Sequence, residues 1–244
     1  SPLHILRGYA QRVDPSRLPG SVLFAHTDTS LTVFDAFPKS YFHLLVLPRP
    51  RRPFEIEDMD NLRTLLKKDK EAAKLVLLDL GEAAQRARER IKDEMLKRFG
   101  FKWDIWTGFH AGPSMAHLHL HVISADLRGD SMKNKKHYNS FHPKLGFFIH
   151  FDEVMSWFDA EPSFYKQKSA LRPQAYLDLL KEPLQCFYCY EEIKNMPLLK
   201  EHLKAEFTTM KERERAKLEK KRQVQEAMAK KKRNKEARSP DAET

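Results

Sequence analysis

The chain has 244 residues, 41% of them hydrophobic and 32% charged, with 44 basic against 34 acidic side chains and a net charge of +10. Such a composition excludes a disordered chain, allows one large domain or two, and points to a polyanionic partner such as nucleic acid. There is no run of 18 uncharged apolar residues and no secretion signal, so an intracellular protein with no membrane partner is expected; the two cysteines form one C-x2-C and imply no disulfide framework.

In chain order, Leu3 to Val13 reads as a short helix ended by Asp14-Pro15, with Leu6 and Ala10 on one side and Arg7 and Tyr9 elsewhere. Val22–Phe24, Ser30–Phe34 and Tyr41–Leu47 have the β-branched and aromatic content of strands. Helices follow over Glu57–Leu66 and Lys70–Phe99, the second carrying Ala73, Leu77, Leu80, Ala84, Ala87 and Ile91 on one face and closing at Gly100. Lys102–Phe109 and His117–Ser124 are the next expected strands, then Leu145–Phe151, a helix over Asp152–Phe158 capped by Asp152, and a linker over 160–169. The layout is α+β.

The stretch His117-Leu118-His119-Leu120-His121-Val122-Ile123 has strand spacing, which predicts three imidazoles on one face and aliphatic side chains on the other. Three readings are open: the polar face of a half-buried strand, a metal site, or group transfer by imidazole. The preceding His110-Ala111-Gly112-Pro113-Ser114-Met115-Ala116 favours the third. It adds a further histidine and a turn whose hydroxyl and backbone N–H groups can hold an anion.

Downstream, Lys133-Asn134-Lys135-Lys136-His137-Tyr138-Asn139-Ser140-Phe141 interleaves basic and aromatic residues. It reads equally as a solvated loop or as a segment that contacts phosphates and stacks bases. Cys186-x2-Cys189-x12-His202-x3-Glu206 has zinc-finger spacing, with His202 and Glu206 one helical turn apart, so structural Zn²⁺ is expected; a redox use of the C-x2-C lacks the surrounding βαβ pattern. Residues 211–244 hold 13 basic and 7 acidic side chains, +6 of the net +10, and read as a solvated helix or disordered tail able to meet DNA or carry nuclear import.

The H-φ-H-φ-H-φ-φ strand resembles the signature of the histidine triad nucleotide hydrolases and transferases. Together with KNKKHYNSF and the C-terminal finger, the chain resembles the aprataxin family, over roughly Leu3 to Phe207 and with Glu206 as in a fungal form. The resemblance implies a histidine triad fold over 1–160, a zinc finger of the C2HE kind that binds DNA over 161–210, and a basic tail over 211–244. It further implies a nuclear DNA repair enzyme that removes AMP from 5′-adenylated DNA ends through a covalent adenylyl-histidine, needing no cofactor for the chemistry. Nicked duplex DNA and repair proteins would be its partners. His119 would be the nucleophile, His117 its orienting group and His110 the acid, while His121 and Ser114 would hold the non-bridging oxygens and Met115 would be a further substrate-binding residue. Asp35 would bind ribose hydroxyls, Phe34 and Leu47 would wall the adenine, and Lys39 and His43 would support that pocket. Lys133, Lys135, Lys136 and His137 would meet DNA, and Arg7 or Tyr9 would wedge against the terminal base pair. A hydrolase of small dinucleotides and a non-catalytic DNA-binding protein are the competing classes.

Overall fold

Strand residues that alternate between two apolar environments build one six-stranded antiparallel sheet in the computed structural model, which describes residues 2–236. Its strands are β1 (Leu23–His26), β2 (Ser30–Phe34), β3 (His43–Pro48), β4 (Ile105–His110), β5 (Leu120–Ser124) and β6 (Phe148–His150), in the spatial order β1-β2-β3-β5-β4-β6. Val33 pairs with Leu45 and Leu45 with His121. Leu31, Val33, His43, Leu45, Leu47 and His121 therefore share one face, and Leu44, Val46, Leu120 and Val122 the other.

The second face is covered by α3 (Lys70–Phe99), whose apolar stripe is buried along its whole length, as its spacing predicts. Asp69 accepts from the Ala72 N–H at 2.7 Å to start that helix, and Gly100, at φ 79°, ends it in the left-handed conformation that glycine adopts without strain. On the first face, α1 (Ile5–Ala10) packs Leu6 and Ala10 against Leu31, Val33, Leu45 and Leu47. The histidine end of that face is left for the site. Among the described residues no helix is long and apolar enough to cross a membrane.

Several elements differ from expectation. The Leu3–Val13 helix is a 3₁₀ turn at Pro2–His4 followed by α1, and Glu57–Leu66 divides into a 3₁₀ turn at Ile56–Met59 and α2 (Leu62–Leu66), because Asn61 caps a new helix through Thr64. KNKKHYNSF is helical at α4 (Lys135–Phe141): the Asn134 side chain accepts from His137 N–H, and Tyr138, Asn139 and Phe141 are buried. Periodicity was too short there to compete with the visible charge. The helix α5 (Phe151–Phe158) starts one residue early with no side-chain cap from Asp152, and the expected linker is α6 (Pro162–Ser169), started by Pro162 in its first turn.

After α7 (Pro173–Leu177), a two-stranded hairpin of β7 (Leu184–Gln185) and β8 (Glu192–Ile193) leads to α8 (Met196–Glu236). Leu184, Cys186, Phe187, Ile193, Leu199 and Leu203 form one buried cluster with Ile123, Leu127, Tyr138, Phe141 and Phe148. Phe207 joins the core under α3 through rings of Phe99, Phe101 and Trp103. Beyond Met210 the described side chains of α8 are mostly exposed and pair along the helix, as in Lys217–Glu214 and Arg222–Glu219. Residues 237–244 of the expected tail lie outside the described residues.

Candidate active site

The strand expected over His117–Ser124 is shorter than its spacing implies: only Leu120–Ser124 is in the ladder, and His117 stands at φ 80°. The backbone before β5 is held off β3 by other partners. Ala116 N–H donates to Leu3 O at 2.9 Å and Leu118 N–H to Met59 O at 2.6 Å, while His117 Nε2–H donates to Pro48 O at 2.7 Å. The bend turns the His117 carbonyl toward the next imidazole, and His119 Nδ1–H donates to it at 2.8 Å. Its Nε2 is thereby left with the lone pair. His117 thus acts on His119 through its backbone, not through a side chain on a common strand face.

His121 lies at the centre of the cluster, its ring centroid 4.4 Å from His110, 5.0 Å from His119 and 5.2 Å from His43. His110, at the end of β4, and His119 line a small cavity with Asn61 and Pro113. That cavity adjoins a cleft of about 450 Å3 walled by Ser114, Met115, Asn61, Arg63 and the N-terminal turn. Burial holds His43 and His117 down at about 4, drives His110 and His121 well below the ordinary imidazole value, and lowers His119 too. All five imidazoles are neutral at pH 7. His110 Nε2 and His121 Nε2 are buried without a protein partner, and His110 lines the small cavity beside His119.

Asp35 sits beside this cluster, its Oδ1 accepting from Phe37 N–H at 2.7 Å and its Oδ2 3.5 Å from His43 Nδ1. Leu47 and Met115 are in the apolar cluster under α1. Phe34 pairs with Leu44, on the strand parity opposite to Val33, packs edge-on to Phe24 at 5.5 Å, and lines a cavity with Asp35, His43 and the α3 residues Arg90 and Ile91. Arg7 is engaged by Asp60 and lies 3.7 Å from Glu57, and Tyr9 packs against the cluster under α1, so neither is a free wedge. The Lys39 ammonium donates to Phe37 O, Lys135 donates to Lys181 O at 2.7 Å, Lys133 and Lys136 are exposed, and His137 is tied to the cap of α4.

Phe141 was missed as a site residue. Its ring is 4.6 Å from His110, 5.1 Å from His121 and 5.3 Å from His43, so the basic segment contributes its apolar face to the imidazoles. Asp126 was missed as well. Buried, it accepts from Trp103 Nε1, Ser124 Oγ and the backbone N–H groups of Tyr41 and Arg128, and so fixes the end of β5 to the start of β3.

A second donor set lies at the C-terminal hairpin, where Cys186, Cys189, His202 and Glu206 bring one ligand atom each within 4.8 Å of one another. His202 Nε2 is 3.2 Å from Cys189 Sγ and 3.5 Å from Glu206 Oε1, while Glu191 stands 3.7 Å from its Nδ1. Two sulfurs, one nitrogen and one oxygen at such separations suit a tetrahedral Zn²⁺. Burial pushes the Cys186 thiol up to about 11, so at neutral pH it becomes a thiolate only with a cation upon it.

Residues 9–137 match the family model described as scavenger mRNA decapping enzyme C-term binding, and residues 144–209 that of the C2HE / C2H2 / C2HC zinc-binding finger. An aprataxin-like protein of Saccharomyces cerevisiae is 33% identical over 189 residues, covering 72% of this chain and 82% of its own length. The chain belongs to the aprataxin family. The C-terminal unit is a zinc-binding finger in which Cys186, Cys189, His202 and Glu206 are arranged to bind a metal. Danio rerio aprataxin is 32% identical over 72% of this chain and 47% of its own length, so the chain spans about half the length of that aprataxin-family relative. A solved structure described as Hnt3 in complex with DNA and guanosine superposes with a TM-score of 0.65 and 27% identity, covering 88% of this chain and 100% of that one.

Proposed function

We propose that this protein hydrolyses the phosphoanhydride of 5′-adenylated DNA ends, releasing AMP and a DNA 5′-phosphate, as a DNA repair enzyme acting in the nucleus. The observation that carries the reading is the His119 geometry: Nδ1–H is held by the His117 carbonyl, and Nε2 is a neutral nucleophile in a buried pocket with unpartnered His110 and His121 nitrogens. The Nε2 lone pair attacks the adenylyl phosphorus, a P–N bond forms, and the bridging P–O bond breaks with its electron pair passing to the DNA 5′-phosphate. His121 Nε2–H and Ser114 hold the non-bridging oxygens, and His110 assists the leaving oxygen. Water then attacks the same phosphorus and releases one proton to solvent, the P–N bond breaks, and AMP leaves as His119 regains its lone pair.

Duplex DNA is the partner this reading requires, and the exposed Lys133 and Lys136 with the zinc finger are the groups proposed to meet its phosphates. Asp35 is proposed to bind the ribose and Leu47 and Met115 to line the base pocket.

Rapid acid quenching during a single turnover on radiolabelled adenylated DNA tests the reading. AMP should be trapped on His119, and His119→Ala should trap none; turnover with no adenylyl-enzyme at any time would exclude the covalent route. A second reading, hydrolysis of small capped dinucleotides, is favoured by the match of residues 9–137 to the decapping family model. Comparison of kcat/KM for adenylated DNA and a capped dinucleotide separates the two.

A further inference from the structure

The two imidazoles of His43 and His121 touch each other, and one of them is anchored by a group that can only donate. Lys39 backbone N–H donates to His43 Nδ1 at 3.2 Å. That nitrogen must therefore carry its lone pair inward, and in a neutral ring the proton sits on Nε2. His43 Nε2 lies 3.0 Å from His121 Nδ1, so His43 is the donor of that contact and His121 Nδ1 the acceptor. The proton of His121 is then on Nε2, the atom that is buried without a protein partner.

We infer that His43 is a positioning residue: it transmits the polarity of the Lys39 amide to His121 and fixes His121 as an Nε2–H donor aimed at a phosphate oxygen. The inference rests on the proposed reaction for its catalytic consequence but not for its hydrogen-bond pattern. Asp35, at 3.5 Å from the same His43 Nδ1, meets a lone pair there and not a proton, which leaves its Oδ2 for a ligand hydroxyl. The three side chains Asp35, His43 and His121 also have the spacing of a metal set, yet both His43 nitrogens are already used, one by each neighbour.

The amide at the head of this relay is held in place by a backbone clasp. Gly129 N–H donates to Lys39 O at 2.9 Å and Ser131 N–H to Pro38 O at 3.3 Å. A Cβ on Gly129 would lie 2.4 Å from Pro38 O and 2.6 Å from Lys39 C and Ser40 N, all backbone atoms, so the turn bearing the Lys39 amide would have to move. Glycine at 129 is required for the close approach, and no local feature of the sequence announces it.

The test combines ¹⁵N-imidazole NMR of the full chain without substrate and steady-state kinetics on adenylated DNA. In the parent, His121 Nδ1 should be unprotonated and show a scalar coupling through the hydrogen bond to protonated His43 Nε2. His43→Leu, which removes the donor, should give mixed His121 tautomers and lower kcat on the order of a hundredfold, the size of one lost oxyanion donor, with KM changed far less. His43→Gln, whose amide can still donate, should recover kcat to within about tenfold of the parent. Gly129→Ala should move the His43 and His121 resonances together. A protonated His121 Nδ1 in the parent overturns the inference whatever the kinetics. So does a His43→Gln protein as slow as His43→Leu. A parent with the expected tautomers but no activity on adenylated DNA would instead strike down the proposed reaction and leave the relay intact.

Discussion

The sheet cluster and the hairpin cluster use histidine in opposite ways. On the sheet, His43, His117, His119, His121 and His110 are wrapped by Leu, Phe and one another, and burial keeps them neutral while their tautomers are set by backbone carbonyls and an amide. At the hairpin, His202 is partly exposed among two thiols and two carboxylates, with a ring nitrogen facing Cys189 Sγ. In the first arrangement hydrogen-bonded neighbours set the proton positions on the rings, and under the proposed reaction this leaves the His119 Nε2 lone pair for attack. The second gathers excess electron donors, which is stable only around a cation. Burial and neighbours, and not residue type, separate the two uses.

The largest expected effect breaks the sheet side alone. His119→Ala should lower turnover by on the order of 10³-fold or more, as expected for a lost covalent nucleophile, with Zn²⁺ content unchanged at about one per chain. A mutant keeping a tenth of parental activity would contradict the assignment.

Attacking the hairpin should reach the sheet, because Leu184, Phe187, Leu199 and Leu203 share a core with Ile123, Tyr138, Phe141 and Phe148. Cys186→Ser should release the metal and lower thermal stability by several kcal/mol, with activity lost on DNA and on small adenylylated substrates together. Loss confined to DNA would show that the shared core survives without zinc. Removing residues 211–244 leaves that cluster whole and should weaken only DNA binding, with a shallower salt dependence.

Acidity separates the regions by sign. Imidazoles held near 4 in the fold but near 6.5 when unfolded contribute stability that is fully present above about 6.5 and is lost as pH falls toward 4. His43 and His117 together should cost roughly 2–3 kcal/mol for the first pH unit below that range. Urea midpoints from pH 7 to pH 5 check this, and a flat profile would mean that the rings are not held neutral.

The smallest effect lies in the rate profiles. His119 must be deprotonated, so kcat/KM, which reports the free enzyme, should fall on the acid side, below the ordinary imidazole range. His110 is also neutral in the free protein, and an anionic substrate in the pocket should raise it. The proton His110 then carries is taken from solution, so the alkaline limb of kcat/KM should lie at lower pH than that of kcat, where the bound substrate raises His110. Two bell-shaped profiles with the same limbs would show that the bound substrate does not raise His110.

Much of this was written in local pattern. The stripe of α3, the stop at Gly100, the strands around Val33 and Leu45, and the C-x2-C-x12-H-x3-E spacing each depend on neighbours within one or two turns of chain, which is the range at which periodicity and capping act. The histidines were visible for the same reason. What the pattern could not hold was any relation set by distant chain. His117 leaves the strand because Leu3, Pro48 and Met59 supply its segment with partners better placed than the ladder. Phe141 reaches the imidazoles because Tyr138 and Asn139 bury the far side of α4 under the finger. Strand spacing determined which residues could be catalytic; the proton positions on them were decided by the backbone groups of His117 and Lys39, which only the folded chain brings to their nitrogens.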